Sequence, residues 1–279
     1  MEKKYILTDE TITLEDSGIV LHRIKAIRSF GDVNEGDLGG WVEKEDNLSH
    51  EEDCWIYDNA RVYGHAKVRH NVCICDNARV YGNATVFGSA KVYDNAEIRD
   101  NATVFCSAQV CDNSKVYGNA TVYGHAILFD NATVYGHAQV FNNVCVSNNA
   151  TVYGHANVFD SAQIFDNVEI CGDAKLQGNT VIRGNAVIQS DKDYIVFKNW
   201  WSSGRYFTWT RSNNMWHVGS FYGTGKELIK KAYKDSEISG REYGRVVKFV
   251  KNMLLREKIT NFFQKVLCIS KKSCTFAKN

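Results

Sequence analysis

Residues 120–139 read ATVYGHAILFDNATVYGHAQ, a six-residue phrase stated three times and begun a fourth. The phrase runs outward in both directions without insertion or deletion, from Leu48 to Asp191, which makes 24 units. Its consensus is A-x-V-[YF]-[GD]-N. Place one holds mostly alanine, and place three holds only Val, Ile or Leu from Ile56 onward. Alternate side chains of a strand share a face, so places one and three predict short strands with an apolar inner side. Gly, Asn and Asp tolerate positive φ, so places five and six predict a sharp corner. Three strands and three corners close one coil, and successive coils pair through parallel ladders. The result is a mainly β fold, a hexapeptide-repeat parallel β-helix of about eight coils. At ~4.8 Å per layer its length is roughly 38 Å. The chain contains no proline, as suits continuous paired strand, where proline removes a ladder hydrogen bond.

A solenoid leaves open strand edges at both ends, and these invite association unless capped. Residues 1–47 read as an N-terminal β cap, with strands in KYILTDETITL and GIVLHRIKAIRSF. Residues 192–279 read as an α+β module. YIVFKNWW, RYFTWTR and MWHVGSFY predict three strands, and Thr224 with Glu227 forms a capping box that opens a helix through about Tyr233. Val246, Phe249, Val250, Met253 and Leu254, then Ile259, Phe262, Phe263, Val266 and Leu267, have helical spacing and predict two further amphipathic helices.

The net charge is +1, but Lys226–Asn279 carries 14 Lys+Arg against 5 Asp+Glu, a net +9 that leaves −8 on residues 1–225. The basic module is a candidate for phosphates, nucleic acid included. The first residues lack an apolar signal core, and no run approaches the ~18 apolar residues of a membrane span. Nine cysteines without CxxC spacing predict free thiols in a cytoplasmic protein, without a zinc site.

The segment FGDVNEGDLGGWVEKEDNLSHEEDCWIYDNARVYG, Phe30 to Gly64, resembles a family of bacterial and prophage hexapeptide-repeat proteins. WHVGSFYGTGKELIKKAY and REYGRVVKFVKNML are similar to the C-terminal module of its phage versions. The resemblance covers most of the chain except the last two dozen residues. It implies a left-handed rod and expression in the host cytoplasm. Members are often labelled transferases because hexapeptide acyltransferases share the rod, which is analogy of fold rather than chemistry. The rod is also similar to that of γ-type carbonic anhydrases, which hold zinc partly through an H-x4-H pair. His65 and His70 have that spacing, but the family's upstream partner is missing.

Acyltransferases of this type have a loop breaking the repeat, a histidine base at a subunit interface and an acyl-CoA groove between rods. Here the repeat is unbroken. His65, His125, His137 and His155 occupy place six, where asparagine usually stands, and read as corner residues. His125 is the candidate base under the catalytic alternative, and the stacked pair His137 and His155 is a candidate for a minor metal or anion site.

Place four, pointing outward, is Tyr or Phe in 14 of 24 units. A spacing of 18 sorts these rings into columns. Phe87, Phe105, Tyr123, Phe141 and Phe159 form one; Tyr63, Tyr81, Arg99, Tyr117, Tyr135 and Tyr153 form a second; a third mixes rings with Cys and Ser. Stacked rings stiffen a sheet, yet an exposed Phe-rich strip exceeds what monomers tolerate. The expectation is that a sister subunit, the C-terminal helices or a flat ligand covers it.

The reading is a non-catalytic binding or scaffolding protein, a homo-oligomer (dimer or trimer) without a cofactor. In its specific form it sequesters a small phosphorylated metabolite or nucleotide signal between subunits. An acyl-CoA-dependent acyltransferase and a purely structural oligomer are the alternatives.

Overall fold

The computed structural model describes residues 2–276. Its centre is a parallel β-solenoid of eight coils. Each rung is a two-residue strand at places two and three, and its neighbour lies 18 residues on: Thr103 pairs Thr121, which pairs Gln139. The rungs form three parallel ladders, here called the phenylalanine, tyrosine and mixed faces after their place-four columns. Inside, the place-one alanines and place-three Val, Ile and Leu side chains are almost fully buried. Where place one is polar, its hydroxyl is satisfied locally: Ser114 Oγ donates to Cys111 O at 2.6 Å.

The corners depart from expectation in one respect. Positive φ falls on place five alone, as at Asp58, Gly64, His70 and Asp76, while the Asn or His of place six takes ordinary backbone angles. Aspartate suits place five because its Oδ2 accepts the N–H of the residue one coil on. Asp112 does so from Asp130 at 3.0 Å, and Asp160 from Gly178 at 3.0 Å. The place-six asparagines hydrogen-bond to one another up the corner, as in Asn131 to Asn149 (3.3 Å) and Asn149 to Asn167 (2.9 Å).

Parallel rungs give the rod a polarity. Each coil donates its N–H groups to the carbonyls of the next, as Trp55 N does to Val72 O at 3.0 Å. The first coil is therefore left with unpaired carbonyls and the last with unpaired N–H groups, which must be met by donors and acceptors respectively. The N-terminal cap supplies donors. Its strand Leu38–Val42 lies parallel on the first coil, with Trp41 N donating to Ala60 O at 2.9 Å. The buried Lys4 Nζ donates to Cys54 O (2.8 Å) and Glu52 O (2.9 Å), and Tyr5 OH to the carbonyl of Leu48 or Glu45 (2.8 Å each). Strands Tyr5–Thr13 and Val20–Ala26 extend this sheet antiparallel. At the far end the module supplies acceptors: Ser212 Oγ takes Val187 N (2.8 Å), and Asp193 Oδ2 takes Gln189 N and Ser190 N (3.0 and 2.9 Å).

Among the described residues the module holds four strands rather than three. Tyr194–Lys198, Tyr206–Thr210, Met215–Val218 and Phe221–Thr224 form an antiparallel meander. The stretch MWHVGSFY, read as one strand, folds on itself because Gly219 turns the chain at φ 58°. Thr224 and Glu227 form the expected capping box of α1, Gly225–Asp235. The two later helices are one: α2 runs Glu237–Phe276, since nothing between Leu254 and Ile259 breaks a helix. Phe207, Trp209 and Trp216 of the sheet pack against Leu228 and Ala232 of α1 and Tyr243, Val247 and Val250 of α2.

Candidate ligand cleft and the aromatic ladders

The rings of place four stack on one another. On the phenylalanine face the centroids of Phe87, Phe105, Tyr123, Phe141 and Phe159 are separated by 4.8, 4.7, 4.8 and 5.2 Å, with planes within 5°. Tyr117, Tyr135 and Tyr153 stack at 4.9 and 5.0 Å, and Tyr63 on Tyr81 at 4.9 Å. The spacing equals the coil rise, so each ring's faces are covered by the rings above and below, and every member of these stacks is half-buried. The expected bare apolar strip is thus reduced to a row of ring edges. Flat faces remain open only at the ends of each stack, which leaves no slot for a base or sugar within it. Burial pushes the phenols of Tyr123 and Tyr135 up.

Arg99 divides the tyrosine column and is held on several sides. Its Nε pairs with Glu97 Oε1 at 2.9 Å, its Nη1 with Asp100 Oδ2 at 3.0 Å, and its guanidinium carbon lies 4.1 Å from the centre of the Tyr117 ring. Glu97, 8% exposed, also takes Arg79 Nη2 at 2.9 Å and the hydroxyl of Tyr81. The sequence contained this signal, since Glu97 shares the outer side with Arg99 two residues on and stands 18 from Arg79.

His137 and His155 stack at 5.0 Å with planes 8° apart, both exposed, continuing the corner column of Asn83, Asn101 and Asn119. His125 is exposed on a different corner, between Ser107 and Asn143 in its column, and makes no side-chain hydrogen bond among the described residues. His65 and His70 sit on separate corners, and His70 Nδ1 accepts Gly88 N at 3.3 Å. Asp94, Cys111 and Asp112 bring potential metal ligands within 4.8 Å of one another. Both carboxylates already accept corner N–H groups, and burial pushes the Cys111 thiol up.

A cleft of about 740 Å³ lies where the last coil meets the module, a place the sequence did not indicate. Its walls come from the turn after the final rung (Lys192), the hairpin corner (Arg211) and one side of α2 (Phe249, Met253, Arg256). Arg211 is spoken for: it grips Glu257 through Nη1–Oε2 (2.7 Å) and Nη2–Oε1 (3.2 Å), and its Nε donates to Lys192 O at 3.0 Å. That grip holds the Glu257 carboxyl below its ordinary range. Lys192 and Arg256 form no ion pair among the described residues, and Phe249, 58% exposed, offers an open ring at the same wall. The lining also holds the carboxylates of Asp193 and Glu257, and Lys192 lies within the electrostatic reach of Glu257; two cations outside any ion pair beside an aromatic face still suit a small anion carrying a ring.

Residues 74–86 and 78–94 match the model of the YdcK beta solenoid repeat. Among curated proteins the chain is similar to the "uncharacterized acetyltransferase YdcK" of Escherichia coli (strain K12), 38% identical over 76 residues, which is 25% of this chain and 23% of that protein. The chain thus spans about a quarter of the relative's length. These matches and the solenoid support the likeness to a hexapeptide-repeat family whose members carry a transferase label.

Proposed function

We propose that this is a non-catalytic binding protein of phage or prophage type. The coiled rod acts as a rigid frame and the module supplies the ligand site. The observation that carries the proposal is the cleft at the end of the rod, with the cations of Lys192 and Arg256 beside the exposed Phe249 ring. The ligand is a small phosphorylated metabolite or a nucleotide: the phosphate meets the two cations and a planar ring lies against Phe249. This moves the site away from the ring ladders, whose faces are spent on each other. Oligomers of the chain would carry one such cleft per subunit and sequester the ligand without turning it over.

Protein purified from cells that produce it naturally should release a phosphorylated small molecule on denaturation, identified by mass spectrometry. A Lys192→Ala/Arg256→Ala variant should come out empty. An empty wild-type preparation sinks the proposal.

The acyltransferase reading draws on the relative's name. It requires thioester turnover with an acyl-CoA that His125→Ala abolishes. Absence of turnover with a panel of acyl-CoA donors and acceptors counts against it.

A further inference from the structure

The start of α1 borders a second cavity, of about 280 Å³, that shares no lining residue with the rod-end cleft. Its walls are the strand Met215–Val218, through Trp216, and α2, through Val247, Val250 and Lys251. Helix positions advance by about 100° per residue. These α2 residues therefore lie roughly 150° around the axis from Phe249, Met253 and Arg256 of the cleft. Donors reach this space from three elements. The first N–H groups of a helix have no partner within it. The capping box serves Thr224 N and Glu227 N, at 2.8 and 3.4 Å, and leaves those of Gly225 and Lys226 without a side-chain cap. The sheet supplies Trp216, 2% exposed, whose Nε1 donates to nothing among the described residues, whereas Trp209 donates to Asn214 Oδ1 at 3.0 Å. That Nε1 lies against the helix start, since a Cβ added to Gly225 would stand 3.1 Å from it. A buried indole N–H without an acceptor is costly, and a bound acceptor removes the cost.

The occupant follows from the chemistry of the walls. Lys226 and Lys251 line the cavity and form no ion pair among the described residues, and no carboxylate lines it. Glu227, at the same helix end, spends its Oε2 on the N–H and the hydroxyl of Thr224, at 2.8 and 2.7 Å. Indole, backbone N–H and ammonium are all donors, so the group that fits carries acceptors alone. Two full charges together with the helix dipole match a dianion. A phosphoryl group brings that charge and three acceptor oxygens, one for each element, where a carboxylate brings a single charge and two oxygens.

We infer that the N-terminus of α1, Trp216 and Lys251 form a second anion site, separate from the rod-end cleft, that takes the phosphoryl group of a small molecule. The test is a titration of the full chain, labelled with ¹⁵N, followed through its indole N–H signals; the chain has six tryptophans. The probes are inorganic phosphate and methyl phosphate, and the tighter of the two tells a free ion from an ester. Both should shift one indole signal saturably, the one that Trp216→Phe removes. Acetate at the same ionic strength should bind at least about tenfold more weakly. Lys251 is exposed, so Lys251→Gln keeps the fold and should weaken phosphate about tenfold. Should Trp216→Phe not fold, the Lys251→Gln comparison on the shifted signal decides alone. Lys192→Ala/Arg256→Ala should leave the titration unchanged, which keeps this site's failure distinct from that of the cleft. Indole signals that ignore phosphate overturn the inference, as does a shift that Lys251→Gln leaves undiminished. A shift that only the Lys192→Ala/Arg256→Ala variant loses overturns it too and assigns the phosphate to the cleft.

Discussion

Replacing Tyr123 by alanine tests whether the ring ladder is a structural device. Tyr123 lies between Phe105 at 4.7 Å and Phe141 at 4.8 Å, in planes within 5° of its own. Each stacked pair contributes about 1 kcal/mol beyond burial, so losing both costs about 2 kcal/mol. The apolar area lost from a half-buried ring adds about 1 kcal/mol. Tyr123→Ala should therefore destabilise by about 3 kcal/mol. Phe159→Ala should cost about 2 kcal/mol, because Phe159 has a ring neighbour on one side alone, Phe141 at 5.2 Å. Tyr123→Phe keeps the stack and loses a hydroxyl without a hydrogen bond among the described residues, so it should stay within about 0.5 kcal/mol of wild type. Urea unfolding gives the global figures. Coils of a solenoid can open separately, so amide exchange at Phe105 and Tyr123, whose N–H groups bond Val122 O and Val140 O at 3.0 Å each, gives the local one. The reasoning fails if Tyr123→Ala is as mild as Tyr123→Phe, or if the end ring costs as much as the central one. It also fails if the alanine variant dissociates an oligomer at unchanged stability, for the ladder would then be an interface.

Gly124 has φ +75°, and an added Cβ would lie 2.7 Å from Asn142 N, whereas Gly178 has φ +72° with open space around it. Gly124→Ala should therefore cost about 2–3 kcal/mol and Gly178→Ala about 1 kcal/mol by denaturant unfolding. Lys4 is buried at the open carbonyl end, and burial holds its ammonium below the ordinary value of 10.5. Between the two values the unfolded chain binds the proton and the folded chain does not, so stability rises with pH there. Wild type should gain on Lys4→Met as pH climbs toward 10.5, and a difference independent of pH would refute the assignment. Glu97→Ala leaves Arg79 and Arg99 facing each other without their carboxylate. Both arginines are partly exposed, so the loss should be about 2 kcal/mol rather than the full cost of a buried charge, and added salt should recover part of it in thermal melts.

The rod was legible because its constraints are local and repeated. A residue at place one or three meets the same neighbours in every coil, so selection for small and branched side chains recurs every six positions. The ring columns were legible for the same reason, as an interval of 18. What a ring touches was less so: the outward direction of place four was read as exposure, but the 4.7–5.2 Å spacing turns an exposed row into a half-buried stack. Lys4 carried no signal, because its role depends on carbonyls about fifty residues away, at Glu52 and Cys54. The cleft was hidden likewise, since Lys192, Arg211 and Arg256 meet through three unrelated segments. α2 was present in the sequence as two apolar sets, Val246 to Leu254 and Ile259 to Leu267, whose separate spacings predict two helices, yet no residue between them breaks the helical run.

Saturation along the rod is the physical reason for placing the proposed ligand site at its end. Places one and three fill the core. Most place-four rings stack on each other, the aspartates of place five accept N–H groups from the next coil, and the asparagines of place six bond along the corner. Place two is outward and, apart from the Arg79–Glu97 pair, takes little part in these contacts, and it varies most, from Lys91 and Gln109 to Thr121 and Ile127. A surface of that kind can distinguish one partner from another, but the concavity it forms beside Arg61 and Arg79, about 250 Å³, is a third the size of the 740 Å³ cleft at the rod end. Where the regular ladder stops, the last coil's N–H groups demand acceptors, and the module that supplies them cannot follow the threefold outline of a coil. The mismatch between a triangular rod end and a four-stranded sheet with helices leaves the cleft beside Lys192. A Ser212→Ala change, which removes the acceptor for Val187 N, should therefore loosen this junction and weaken ligand retention while the rod's own unfolding is unaffected. If retention survives that change, the cleft is held by the Arg211–Glu257 grip alone, and the capping of the last coil has no part in binding.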